Sequence, residues 1–253
     1  MNPDIILQKK DCEVARTAEE LIAWIESIEA RIDALPRPKT YEWMEQELPK
    51  HYFEEIRPLG HLAYHKYLGK PGLSLRPKIG NQNYDAEIID TSSGDENIKR
   101  VEFVITYRGH DLALREEYLR HHGGVFMSGP PAERDGTKAS GGQVHIVPGW
   151  VDHPEYLYNL VAVIEQGVAQ KMGMPYPLDT ILAVIFDDSR LDPETDMPQL
   201  QSYFRDKLSK QTLRKFYGLF ILGASGKTFW EFGKTASTDL TRHLNPIRPP
   251  DRD

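Results

Sequence analysis

One cysteine, Cys12, stands among 253 residues. A lone thiol forms no internal disulfide, which excludes a disulfide-stapled secreted scaffold and fits a reducing compartment. No run of 18 apolar residues exists, so no membrane-spanning helix is expected. The opening MNPDIILQKKDCEVAR places its charges after a short apolar patch, the reverse of a signal peptide, and a cytoplasmic location is the expectation. Excess positive charge is missing too: 31 Lys and Arg face 38 Asp and Glu, a net charge of −7. Proteins that coat nucleic acid nonspecifically are usually basic across the whole binding domain, so that class is not the expectation, although charge alone does not decide it. An enzyme acting on nucleic acid is not excluded, since an acidic metal-binding centre lowers the total while a local basic rim docks the substrate. Internal repeats and long linkers are absent. With 40% hydrophobic, 27% charged and 10% aromatic residues the chain is not disordered or collagen-like. A chain of this length buries about 70–75% of its unfolded surface and needs no staple to hold a core.

Residues 17–35 carry the clearest helical signal. Thr17 with Glu20 makes a capping box, in which each side chain satisfies the other residue's free backbone N–H. Leu21, Ile25, Ile28, Ile32 and Leu35 then form one apolar stripe, a packing surface. The PRP at 36–38 ends it. A second helical stretch over 41–68 is interrupted by Pro49 and Pro58, and KPGLSLRPKIGNQ (70–82) reads as turns. Residues 84–89 and 101–107 read as strands joined by the loop TSSGDENIK. A helix is expected around 111–121. The Gly/Pro-rich stretch 123–149 follows, and within it 123–142 predicts a surface loop beside the site with low amide protection. Residues 154–172 are helical, with Leu157, Leu160, Val161, Ile164, Val168 and Met172 on one face. TILAVIF (180–186) is a strand buried on both faces. FYGLFIL is another, turned by GASG into KTFWEF as an edge hairpin. The predicted class is α/β: a mixed central sheet flanked by helices over residues 49–253, with an N-terminal helical extension at 1–48.

Several motif-like features carry no chemistry. GASGKT (223–228) lacks the first glycine of a phosphate-binding loop, Ile221 standing there, and FWEF suits a strand rather than the required helix. His121 and His122 point about 100° apart on a helix and share no ion readily. No HExxH, CxxC or GxSxG is present, and Cys12 lies too near a fraying terminus to be a favoured nucleophile.

Carboxylates remain. Asp85 enters the first strand in NYDAEI. Glu102 lies in the second, VEFVITY, where Glu102, Val104 and Thr106 share one face and Val101, Phe103, Ile105 and Tyr107 the other. A charge flanked by apolar residues needs a partner. Lys171 falls on the inward arc of the 154–172 helix, among Leu157, Ile164 and Val168, and is either a snorkelling lysine or the cation aimed at the two acids. The prediction is that Asp85, Glu102 and Lys171 converge within about 8 Å of one another, close enough to share one ion and its water shell.

This arrangement resembles the PD-(D/E)xK, or restriction-endonuclease-like, nuclease superfamily. The residues that carry the resemblance are Asp85 in YDAEIID, Glu102 in RVEFVITY, and the helix IEQGVAQK followed by ILAVIFDD; as an order of elements it covers about positions 50 to 232. It implies a restriction-endonuclease-like core, Asp85 and Glu102 as ligands of Mg2+ or Mn2+, and a lysine that positions or activates the attacking water. Glu55, in HYFEEIRPLGH, matches by position the extra acid some members carry as a further ligand. Two residues past Glu102, where the family's lysine stands, this chain has Val104, and Lys171 takes the lysine's part. The implied activity is hydrolysis of phosphodiester bonds in nucleic acid, DNA foremost, with no membrane partner and a homodimer as one assembly such a fold allows. The basic run RDKLSKQTLRK (205–215), and Lys66, Lys70, Arg76 and Lys78, read either as solvated faces or as backbone-contacting rims. The competing expectation is a non-catalytic module binding nucleic acid or protein, in which Glu102 and Lys171 form a plain buried ion pair.

Overall fold

Every residue of TILAVIF is buried, because its strand lies mid-sheet with helices over both faces. The structure is a computed structural model and describes residues 6–36, 43, 46–80, 82–106, 114–115, 117–118, 121–122, 132–137, 140–147 and 153–233. Its strands are β1 (Leu73–Pro77), β2 (Ala86–Asp90), β3 (Asn97–Ile105), β4 (Ala132–Arg134), β5 (Val144–Ile146), β6 (Thr180–Phe186), β7 (Gly218–Gly223) and β8 (Phe229–Gly233). Six of them form one sheet in the order β1-β2-β3-β6-β7-β8. The outer pairs are antiparallel, while β3, β6 and β7 run parallel, with Glu102 opposite Leu182. The architecture is a mixed α/β sheet flanked by helices.

Strand alternation sorts the core into two halves. Val101, Phe103, Ile181, Ala183, Ile185, Phe220 and Leu222 pack beneath the N-terminal helices. These are α1 (Lys9–Cys12), α2 (Ala18–Asp33), α3 (Glu47–His51) and α4 (Arg57–Leu62). The stripe Leu21, Ile25 and Ile28 of α2 belongs to this same cluster, so residues before position 48 help to build the sheet's cover. Val104, Leu182, Val184, Phe186, Leu219 and Ile221 face the other way, against α5 (His153–Met172), α6 (Asp196–Tyr203) and α7 (Ser209–Thr212). The capping box at Thr17 is formed, with Glu20 N–H on Thr17 Oγ1 at 3.3 Å and Thr17 N–H on Glu20 Oε2 at 2.9 Å.

Several local expectations change. The helical run over 47–67 is continuous through Pro49 and Pro58. A π-helical turn, Tyr52–Ile56, widens the helix just before Pro58, and Arg57 N–H reaches back to the Tyr52 carbonyl. That widening spares the bond and the clash an interior proline would cost an α-helix. A second π turn, Ala63–Tyr67, ends the run. The segment expected as turns over 70–82 contains β1. It lies at the sheet edge, where Pro77 can sit at the strand's end, and Arg16 and Leu75 exchange backbone bonds of 3.0 and 2.7 Å along its outer side. Asn97, Ile98 and Lys99, expected in a loop, begin β3. The stretch expected as a loop over 123–142 holds β4, paired with β5. Its turn uses Gly136 and Gly141 at positive φ, and Arg134 donates to Glu117 Oε1 at 2.7 Å; residues 123–131 lie outside the described residues. No helix among the described residues is long and apolar enough to cross a membrane.

Candidate functional site

Glu102 occupies the middle of β3 on the face turned to α5, with its side chain 6% exposed. A carboxylate this deep requires charge or hydrogen bonds. Lys171, near the end of α5, supplies both through an ion pair with Glu102 Oε1. The close approach of helix and strand is made at Gly167, one turn earlier. A Cβ there would lie 2.8 Å from Val104 Cγ1 and 3.4 Å from Thr106 Cγ2. The same contact explains Val104. That position is buried beneath α5, where a lysine would have to leave its ammonium between helix and sheet.

Asp85 is fixed at the entry to β2 by backbone on both sides: its N–H bonds the Val101 carbonyl and its carbonyl accepts from Lys78 N–H, each at 2.8 Å. Its carboxylate turns to the neighbouring strand, where Oδ2 accepts the Phe103 N–H at 2.7 Å. Phe103 directly follows Glu102 in β3, the strand paired with β2. Burial, then the negative charges of Glu102 and Glu55, push the Asp85 carboxyl up to about 8, against the opposing pull of the Phe103 N–H and Lys171. Glu55 arrives from the π turn Tyr52–Ile56, with Oε1 held by His51 Nδ1 at 2.7 Å. Its carboxyl is also raised, by burial first and, beyond the relief from His51, by Glu54 and Glu102. The Asp85 carboxyl thus responds to Glu102, Glu55 and Lys171, and that of Glu55 to Glu102.

Two participants lie outside the sequence reading. Tyr176, in the loop after α5, donates its hydroxyl to Glu102 Oε1 at 3.1 Å. Burial and the charge of Glu102 raise its phenol above the ordinary value, which keeps it a donor. No periodicity marks Tyr176; MPYP reads as a connection. His51 was legible, four residues before Glu55 on a helix.

Three of the basic candidates are occupied. Lys215, from the run at 205–215, donates to the Met172 carbonyl at 2.6 Å and the Lys171 carbonyl at 3.3 Å, capping α5. Lys66 pairs with Glu231, and Arg76 Nε donates to Glu87 Oε2 at 2.8 Å. Lys70 is exposed, over the Tyr67 ring. GASGKT is a hairpin turn tied down by Asp188, which accepts from Ser225 N–H at 2.9 Å, Ser225 Oγ at 2.6 Å and Thr228 Oγ1 at 2.8 Å. His122 stacks on Tyr118 at 4.1 Å. Cys12 is fully buried, and burial pushes its thiol up to about 12, so burial rather than fraying makes it a poor nucleophile.

Among the described residues no group of three or more His, Cys, Asp and Glu is arranged to hold a metal ion. Two hard-oxygen donors are nevertheless what magnesium uses, completing its shell with water and substrate phosphate. Both hydrogen bonds to Glu102 fall on Oε1, and the one to the Asp85 carboxylate falls on Oδ2. Oε2 and Oδ1 accept none among the described residues. Burial, with the charges of Glu102 and Glu55 after it, raises the Asp85 carboxyl, so its anionic form would gain from a nearby cation. No protein-family model, curated protein or solved structure matches the chain.

Proposed function

We propose that the chain is a Mg2+- or Mn2+-dependent endonuclease hydrolysing phosphodiester bonds of DNA, and a divergent member of the restriction-endonuclease-like superfamily. One observation carries this reading: Lys171 pairs with the buried Glu102, and the charges of Glu102 and Glu55 act on the carboxyl of Asp85, which stands at the entry to the neighbouring strand. The order of elements supports it: the helical run with Glu55, β2 entered at Asp85, β3 with Glu102, α5 with Lys171, then the buried β6. In this reading Asp85 and Glu102 hold the ion through the oxygens that accept no protein hydrogen bond, with Glu55 as third acid. When bound, the ion supplies positive charge against the charge developing on the phosphodiester. The Lys171 ammonium has three donors, and Glu102 takes one. The remaining two orient the attacking water or a phosphate oxygen, so a lysine on α5 performs the part that Val104 cannot.

The second reading is a non-catalytic nucleic-acid- or protein-binding module, and the direct Glu102–Lys171 ion pair favours it. The variants Glu102→Gln, Lys171→Met and their combination separate the two. A nuclease loses cleavage in each single variant while the fold survives, and Lys171→Met keeps most of its affinity for Mn2+. A structural pair loses about 3–5 kcal/mol in each single variant and regains part of it in the double. Cleavage assays beside urea denaturation curves give the answer. Strong stability coupling with no wild-type cleavage of any single- or double-stranded DNA or RNA sinks the nuclease reading.

A further inference from the structure

Glu102 receives two donors on the same oxygen, one charged and one neutral. The neutral one, Tyr176, stands in the loop between α5 and β6, where Pro175 and Pro177 flank it. Its ring is held from two sides: it tilts against buried Phe216 at 5.2 Å and 45°, and the Lys215 ammonium lies 5.4 Å from its centroid. Lys215 also binds the carbonyls of Lys171, Met172 and Met174. A single lysine beyond α7 therefore ties down both the helix end that carries Lys171 and the loop that carries Tyr176. Two donors of different chemistry, converging on Oε1 from a braced support, fix the carboxylate's rotation as well as its charge.

The cations that a carboxylate pair attracts differ in what they ask of it. Calcium accepts carboxylates through one oxygen or two and tolerates irregular shells, whereas the smaller magnesium demands near-octahedral geometry, which single-oxygen ligation suits, and manganese takes the same octahedral oxygen sites. We propose that Tyr176 is a positioning residue that sets cation selectivity: with Lys171 it occupies Oε1 of Glu102, leaves Oε2 as the one ligating oxygen, and so favours Mg2+ and Mn2+ over Ca2+. The inference rests on the cation reading above. Removing the hydroxyl frees Oε1 in part and lets Glu102 turn both oxygens to the larger ion.

The experiment measures binding of Mn2+ by electron paramagnetic resonance, with Ca2+ as competitor, for the wild type, Tyr176→Phe and Lys215→Met. Tyr176→Phe keeps the ring and its packing, so its melting temperature stays within about 4 °C of wild type. Its Mn2+ affinity is expected to fall about tenfold, the usual effect of losing a hydrogen bond to a ligand, while Ca2+ affinity falls less. The Mn2+/Ca2+ preference narrows accordingly, an effect that a merely structural role does not produce. Lys215→Met, which releases both donors, should narrow the preference and lower the melting temperature together. Equal losses for the two ions in Tyr176→Phe, or no loss, overturn the inference and leave the cation reading standing. A wild-type protein that binds no Mn2+ overturns both.

Discussion

A carboxyl that titrates near 3.8 in an unfolded chain and about 8 in the folded one binds more protons in the folded state between those values. Stability is therefore full below pH 4 as far as Asp85 is concerned and is lost as pH rises through 8. Asp196 and Glu87 act the other way. Asp196 accepts from Asp192 N–H at 2.7 Å and from His153 at 2.8 Å, and Arg76 and Tyr84 bind Glu87. Against the cost of burial, these partners hold both carboxyls below their ordinary values, so their contribution vanishes in acid. Asp85→Asn removes the alkaline loss and keeps an acceptor for the Phe103 N–H. Without divalent ions, the variant is expected to be more stable than wild type by about 1–3 kcal/mol at pH 8, with the difference shrinking towards pH 4. Urea denaturation across that range checks it; a variant less stable than wild type at pH 8 would show that Asp85 is satisfied by the protein alone.

At the scale of elements, the site depends on how closely α5 lies on β3. Gly167→Ala puts a methyl 2.8 Å from Val104 Cγ1, and neither the helix backbone nor the sheet can yield cheaply. The cost of overpacking, about 1–3 kcal/mol, outweighs the gain of up to about 1 kcal/mol in helix propensity. The expected result is a lower melting temperature, restored in part by adding Val104→Ala, since that change empties the space the methyl enters. A rise in melting temperature for Gly167→Ala alone would mean that the contact is loose. The elements themselves differed in how plainly the sequence announced them. α2, α5 and β6 are long, with apolar residues at one clear period, and the inward arc that contains Lys171 followed from it. β1, β4 and β5 are short and rich in neighbouring Gly and Pro, and what makes them strands is pairing with distant partners, which local propensity does not report. Pro58 suggested a break because a regular α-helix cannot hold it, whereas the π turn before it can.

Across the whole molecule, the two core halves lie on either side of one sheet, and the Glu102–Lys171 pair joins β3 to α5 on one of them. Strand alternation put Glu102 on the face that α5 covers, whereas Asp85 stood out only by its place at the entry to a strand. The loop position of Tyr176 and the capping by Lys215 were not legible, because both depend on contacts between segments about 40 residues or more apart. The acidic total of the chain likewise proved uninformative about the site, for Lys66, Arg76 and Lys215 serve the fold itself. What decides the account is whether the cluster of acids acts on nucleic acid when given a divalent ion. Wild-type protein should be incubated with single- and double-stranded DNA and RNA in Mg2+, in Mn2+ and in chelator, beside Glu102→Gln prepared identically. The expected result is DNA cleavage that requires the ion and is absent from Glu102→Gln; cleavage that persists in chelator or in Glu102→Gln, or no cleavage of any substrate with either ion, would overturn the nuclease proposal.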